Sequence, residues 1–250
     1  MAGRQKKDGD GDGDGAEPSL WERLDRPAPA ARTSLTPQKI AEVAVAIADA
    51  EGFAAVTMRR LAKELDVAPM AAYRHVSGKD DLWALMVDRI FAELGAASKA
   101  TGWREVLRAE ALNVRELMLR HPWMGELPAP LFVLTPNRMA TAERQFAALD
   151  GRGLDVDTMM VALRTVNAYV YGTTRSEVAL QSYMKQRGWD GPDQTRTALA
   201  PQMNYLMETG RYPAYRRYIH EASHKDDPSW EFELGLDCVL DGIEARLGLA

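Results

Sequence analysis

The stretch Thr57-Met58-Arg59-Arg60-Leu61-Ala62-Lys63-Glu64-Leu65-Asp66-Val67-Ala68-Pro69-Met70-Ala71-Ala72-Tyr73-Arg74-His75-Val76 decides how the rest of the chain is read. Thr57 is placed to cap a helix, and Val56 with Leu61 has the spacing of a hydrophobic staple across its start. Leu61, Ala62 and Leu65 share one face of a helix of about two turns. Asp66-Val67 then makes a turn, and a further short helix is expected from about Ala68 to His75. Upstream, Thr36 and Pro37 open a longer helix with apolar residues at Ile40, Val43, Ala44, Ile47 and Ala48. Gly52 ends it, and Phe53 is placed to fold back on its last turn. Downstream, Ser77 and Asp80 read as a Ser-x-x-Asp capping box for a helix over 79–94. That helix is apolar around most of its circumference, from Leu82 and Trp83 to Leu94, which predicts burial on several sides. Two short helices joined by a tight turn, packed on a preceding helix, form the geometry of a helix-turn-helix DNA reader.

Beyond Gly102 the pattern stays helical. Trp103, Val106, Leu107, Val114, Leu117 and Met118 form a face that stops near His121-Pro122. Pro128, Pro130 and Pro136 mark an irregular connection, and helices are expected over 137–149, 157–186, 193–209 and 229–247. There is no β pattern and no internal repeat, so the fold class is all-α. With 46% hydrophobic and 27% charged residues in 250, the chain can build a sizeable core. A single cysteine, Cys238, excludes an intrachain disulfide framework and a Cys-based zinc cluster, and fits a reducing compartment. The apolar runs fall far short of the roughly 20 residues a membrane helix needs. Neither a membrane association nor a signal peptide is expected, and the expected location is the cytoplasm. Residues 1–35 read as a disordered tail. Their Asp8-to-Gly15 alternation mimics the start of a calcium loop, but Ser19 stands where such a loop needs a bidentate Glu.

The formal net charge is -5, so any nucleic-acid contact must come from a local patch. Segment 57–79 is that patch: Arg59, Arg60, Lys63, Arg74 and Lys79 stand against Glu64 and Asp66, a net charge of +3. Residues 36–82 resemble the N-terminal domain of the tetracycline-repressor (TetR) family of bacterial regulators. The likeness is carried by Leu35-Thr36-Pro37, Glu51-Gly52-Phe53, Thr57-Met58-Arg59-Arg60-Leu61-Ala62, Leu65-Asp66-Val67, Tyr73-Arg74-His75-Val76 and Lys79. Asp66 departs from the glycine more usual at that turn, but Asp tolerates a left-handed conformation better than most residues. The remainder, with His121-Pro122-Trp123, is similar to the ligand-binding half of the same family. The resemblance implies a helix-turn-helix domain over 36–82, a connecting helix over 79–94 and a helical effector-binding and dimerisation domain over 95–250. No catalysis and no cofactor are expected, and no residue is assigned as a metal ligand.

The DNA-facing residues expected are Thr57, Arg59, Met70, Ala71, Tyr73, Arg74, His75 and Lys79. Arg59 and Arg74 can read bases, Tyr73 and Lys79 suit phosphates, and Met70 and Ala71 offer only van der Waals fit to thymine methyl groups. For a small-molecule effector the candidates are Trp103, Glu110, Asn113, Met118, Trp123, Phe132, Asn167 and Tyr171, polar fixtures among adaptable apolar walls. Gly235, Leu236, Cys238, Val239, Gly242 and Ala245 on the last helix are expected at the interface of a homodimer, completed by the helix over 157–186. One competing motif remains. His220-Glu221-Ala222-Ser223-His224 satisfies the H-E-x-x-H pattern of zinc peptidases, with Glu244 available as a third ligand. The leading expectation is a repressor that leaves double-stranded operator DNA when a small molecule binds. The alternatives are a DNA-binding dimer without an effector and, from another class, a zinc metallopeptidase.

Overall fold

The computed structural model describes residues 18–25, 35–95, 100–127 and 134–249, and among them every regular element is helical. A short helix, α1 (Leu20–Asp25), lies within the segment expected to be unstructured. Its cause is local. Ser19 N–H donates to the Glu22 carboxylate at 2.7 Å, and Glu22 N–H donates to the Ser19 hydroxyl at 3.3 Å. That reciprocal capping box satisfies donors a helix start otherwise leaves open, and it corrects the disordered reading for these residues. The Asp8–Gly15 repeat lies outside the described residues.

From Leu35 onward the chain forms a second compact unit. Helix α2 (Pro37–Glu51) begins where Thr36 Oγ1 accepts the Lys39 N–H at 3.1 Å. Helix α3 (Met58–Glu64) begins in the same way, Thr57 Oγ1 accepting the Arg60 N–H at 3.1 Å. Asp66 takes φ +52°, the one positive φ outside glycine among the described residues. That conformation lets Val67 N–H reach the Ala62 carbonyl at 3.0 Å, and α4 (Pro69–Tyr73) follows at once. Helix α5 (Lys79–Phe91) packs along α2 and buries Leu82, Leu85, Met86, Val87, Ile90 and Phe91. Its expected cap from Ser77 and Asp80 is not formed. Gly78 holds the cap position, and the Asp81 carboxylate accepts the Ser77 N–H at 2.7 Å. With the helix starting at Lys79, Asp81 rather than Asp80 is the third helical residue and reaches back.

Helices α6 (Trp103–Arg120), α7 (Pro136–Leu149) and α8 (Val156–Arg187) pack on one another, with α7 also lying against α5. Helices α9 (Pro192–Glu208) and α10 (Pro213–Glu221) bury no side chain, and Tyr205, Tyr215 and Tyr218 stand exposed on them, with Tyr212 exposed just before α10. Helix α11 (Pro228–Leu247) returns to α8 through Phe232, Leu236, Leu240 and Ile243. Six of these helices open on proline, whose fixed φ suits the first turn and whose missing N–H costs nothing there. No helix among the described residues is long and apolar enough to cross a membrane.

Candidate DNA-reading head and effector core

Helix α4 presents its start to solvent. Met70 is 70% exposed, Tyr73, Arg74 and Lys79 are exposed, and Ala71 and His75 are half-buried. Arg59 is exposed in the first turn of α3, beside the exposed Thr57 that caps it. The two adjacent arginines differ. Arg60 is tied to Glu51 at 2.7 Å and to Glu64, and those hydrogen bonds hold its guanidinium well above its ordinary value. Among the described residues Arg59, Arg74 and Lys79 carry no such pair. The free positive charge of this segment is therefore carried by three residues expected to meet DNA together with the exposed Lys63.

The reading head is fastened to the rest of the chain by a polar knot. Asp49, near the end of α2, accepts the Trp123 indole N–H at 2.7 Å and the His121 Nδ1–H at 2.8 Å. The Trp123 ring stacks on Phe53, with centroids 6.2 Å apart and planes 8° from parallel, and Phe53 in turn meets Trp83 of α5 at 5.4 Å. Glu93 closes the knot, with His121 Nε2 at 3.4 Å and Arg120 at 2.9 Å. Burial pushes the Glu93 carboxyl up, but the hydrogen bonds from His121 and Arg120 outweigh it and hold the group below the usual carboxylate range. Trp123, expected beside a ligand, is 2% exposed and serves this junction instead. Its indole found a partner 74 residues away, a contact no local pattern signals.

The other effector candidates fall into two groups. Trp103 and Met118 are core residues of α6. Glu110 of α6 and Tyr171 of α8 both turn to α7: Glu110 accepts from Arg144 Nε at 2.7 Å, and the Tyr171 phenol faces Arg138. Burial pushes that phenol up, and the Arg138 charge offsets part of the shift. Asn113 and Asn167 are half-buried, and Phe132 lies outside the described residues. A separate cavity of about 760 Å³, open on one side, is walled by Tyr169, Gly172, Thr173, Glu177, Arg196 and Phe232. None of the sequence candidates lines it. Of its charged members, Glu177 is paired with Arg115 at 2.9 Å and Arg196 with Asp193 and Asp226.

On α11 the expected interface residues separate by cause. Leu236 is fully buried against α8 within the chain, so it is core rather than interface. Gly235 is also spoken for: a Cβ there would stand 2.1 Å from the Tyr169 hydroxyl, which donates to the Phe232 carbonyl at 2.9 Å. Cys238, Gly242 and Ala245 are exposed, Val239 is half-buried, and a Cβ on Gly242 would meet nothing within 4 Å. Cys238, Val239 and Gly242 border a groove of about 510 Å³ between α8 and α11, with Val161 63% exposed on the facing helix.

The H-E-x-x-H pattern is not realised as a site. Helix α10 ends at Glu221, so His220 and His224 do not share a helical face. His224 stacks on Trp230 at 4.3 Å, and Glu244 is held by Arg104 at 3.0 Å. No cluster of metal-ligating side chains occurs among the described residues.

The comparisons agree with this geometry. Residues 40–86 match the family model described as "Bacterial regulatory proteins, tetR family", and residues 96–247 match that of the "Tetracyclin repressor-like, C-terminal domain". The HTH-type transcriptional repressor DrrR1 of Streptomyces coeruleorubidus is 32% identical over 231 residues, which cover 90% of this chain and 83% of that one. An HTH-type transcriptional regulator of Saccharopolyspora erythraea is 29% identical, covering 94% and 95%. Among solved structures, the TetR family protein ActR of Streptomyces coelicolor, in complex with actinorhodin, superimposes with a TM-score of 0.70 at 25% identity, covering 86% of this chain and 97% of that one. Both halves of the sequence are thus accounted for by one kind of protein, the reading head and the helical body alike, and the chain belongs to the tetR family of bacterial regulatory proteins.

Proposed function

We propose that the chain is a cytoplasmic, dimeric repressor that binds operator DNA and releases it when a small molecule enters its helical body. One observation carries the reading: an exposed head whose Arg59, Arg74 and Lys79 have no ion pair among the described residues is fastened through Asp49, His121 and Trp123 to a body that α5 also grips. Two heads must sit about 34–36 Å apart to enter successive major grooves on one face of DNA. Because α5 starts at the head and ends against α7, moving this one rigid element changes head separation without unfolding anything. The open groove between α8 and α11 supports pairing of two copies into a four-helix bundle. The complex of ActR with actinorhodin supports a small-molecule effector here. An effector that favours the released state by about 3 kcal/mol lowers operator affinity roughly 150-fold.

Selection of bound fragments from a random DNA pool tests the reading. The expected product is a two-fold symmetric site whose half-sites are one helical turn, or a multiple of it, apart. A pool that shows no enrichment at physiological salt would overturn it.

A further inference from the structure

The inner face of α7 is polar where a packed helix would ordinarily be apolar. Arg138, Thr141 and Gln145, one turn apart in succession, are all buried, Arg138 with only 7% of its surface exposed. Arg138 is the odd member. Its Nε and Nη1 reach no hydrogen-bond partner among the described residues, although both are out of solvent. Phe91 covers one face of the guanidinium, with the ring centroid 5.3 Å from the central carbon, and the Tyr171 phenol lies beside it. No carboxylate among the described residues pairs with it: Glu110 accepts from Arg144 at Oε1, its buried Oε2 reaching no partner, and Asp88 of α5 accepts the Asn137 N–H and Asn137 Nδ2–H at 2.8 Å each. A guanidinium is not deprotonated in proteins, so burying it without a counter-ion is costly and the charge has no way to disappear.

Resting on the regulator reading above, we propose that the effector is an organic acid whose anionic group pairs with Arg138. A guanidinium suits a carboxylate or other oxyanion, and the orphan Nε–H and Nη1–H leave two separate donors of it open to one. The position also couples binding to the DNA head. Arg138 is stacked on Phe91, and its neighbour Asn137 grips Asp88, so both residues hold the last turns of α5. An anion that draws Arg138 away from Phe91 acts directly on the helix that sets head separation.

The test uses two fluorophores of one shape, anilinonaphthalene sulfonate and its uncharged parent phenylnaphthylamine, titrated against the full chain and its Arg138→Met variant. The sulfonate is expected to bind the variant about tenfold or more weakly, with phenylnaphthylamine unchanged within about twofold. Without probe, Arg138→Met is expected to melt at a higher temperature than the parent, because an unpaired buried cation is replaced by an apolar chain of similar reach. Equal sulfonate affinity in the two proteins, no binding of either fluorophore to the parent, or a lower melting temperature for the variant would each overturn the proposal. The selected DNA fragment keeps the two readings apart. Operator binding with an Arg138-independent sulfonate affinity overturns the acid effector alone. An Arg138-dependent sulfonate affinity in a chain that enriches no DNA leaves the anion site standing and overturns the regulator.

Discussion

Two glycines seven residues apart on α11 should respond in opposite ways to the same added methyl group. In a helix interior, glycine to alanine is worth about 1 kcal/mol of stability. At Gly242 the new Cβ meets nothing within 4 Å, so Gly242→Ala should deliver that gain to the isolated chain. At Gly235 the Cβ would stand 2.1 Å from the Tyr169 hydroxyl, and the ring must leave. Tyr169 then loses its hydrogen bond to the Phe232 carbonyl, worth about 1 kcal/mol, and its tilted ring contact with Phe232 at 5.5 Å, worth about 0.5–1.5 kcal/mol. Set against the helical gain, Gly235→Ala should be destabilising by about 0.5–1.5 kcal/mol, some 2 kcal/mol below Gly242→Ala. Urea denaturation at a concentration low enough to dissociate dimers measures both. The larger variant Gly242→Leu should remain folded but sediment as a monomer, because its side chain fills the groove proposed to receive a second copy. A Gly242→Leu protein that stays dimeric, or alanine variants that shift stability in the same direction at both positions, would show that the two glycines do not differ as described.

Replacing Arg59 by alanine should weaken operator binding and flatten its sequence preference, whereas Lys79→Ala should weaken all sequences alike and lower the salt slope by about 1. Gel-shift titrations over a salt series with matched and scrambled fragments separate the two, and indistinguishable profiles would refute the division of roles. Arg60→Ala should cost less in DNA affinity than Arg59→Ala in the same titrations, since Glu51 and Glu64 already hold the Arg60 guanidinium. Glu93 should shape the acid limb of stability. Its folded carboxyl sits below the ordinary range, so its contribution is complete above the unfolded value of about 4.3 and disappears as pH falls through the folded value. Glu93→Gln should therefore flatten the fall in stability below about pH 4.3, and an unchanged slope in acid denaturation would count against the knot around His121.

What could be read in the sequence was local in origin. Thr36 and Thr57 cap their helices through their own hydroxyls, and Asp66 takes the left-handed conformation its short polar side chain allows. Helix ends over the body were legible to within a few residues because proline and glycine punctuate them. Pro136 was the exception, read as part of an irregular connection although it is the first residue of α7. The exposure of Met70, Tyr73 and Arg74 was legible for the same reason as the turn, since a short helix after a tight turn leaves few of its side chains a place in the core. The effector side was not. Trp123 meets Asp49, Gly235 meets Tyr169 and Glu110 meets Arg144 across 74, 66 and 34 residues, and periodicity carries no information on such pairings. Arg138 left one trace: a charged residue on the helical phase of Thr141 and Gln145, where the surrounding pattern demands burial.

The knot around Asp49 bears on how such chains can be recombined. Family boundaries divide the sequence between residues 86 and 96, which invites a sensor made by grafting a foreign reading head onto this body. A cut there severs nothing covalent of importance but parts Asp49, Phe53 and Trp83 from His121 and Trp123. The graft would fold each half around its own core and leave a buried indole N–H facing whatever the foreign head supplies. A working chimaera has to carry those three head residues with the body, so the unit of inheritance for signal transfer straddles the boundary that sequence comparison draws.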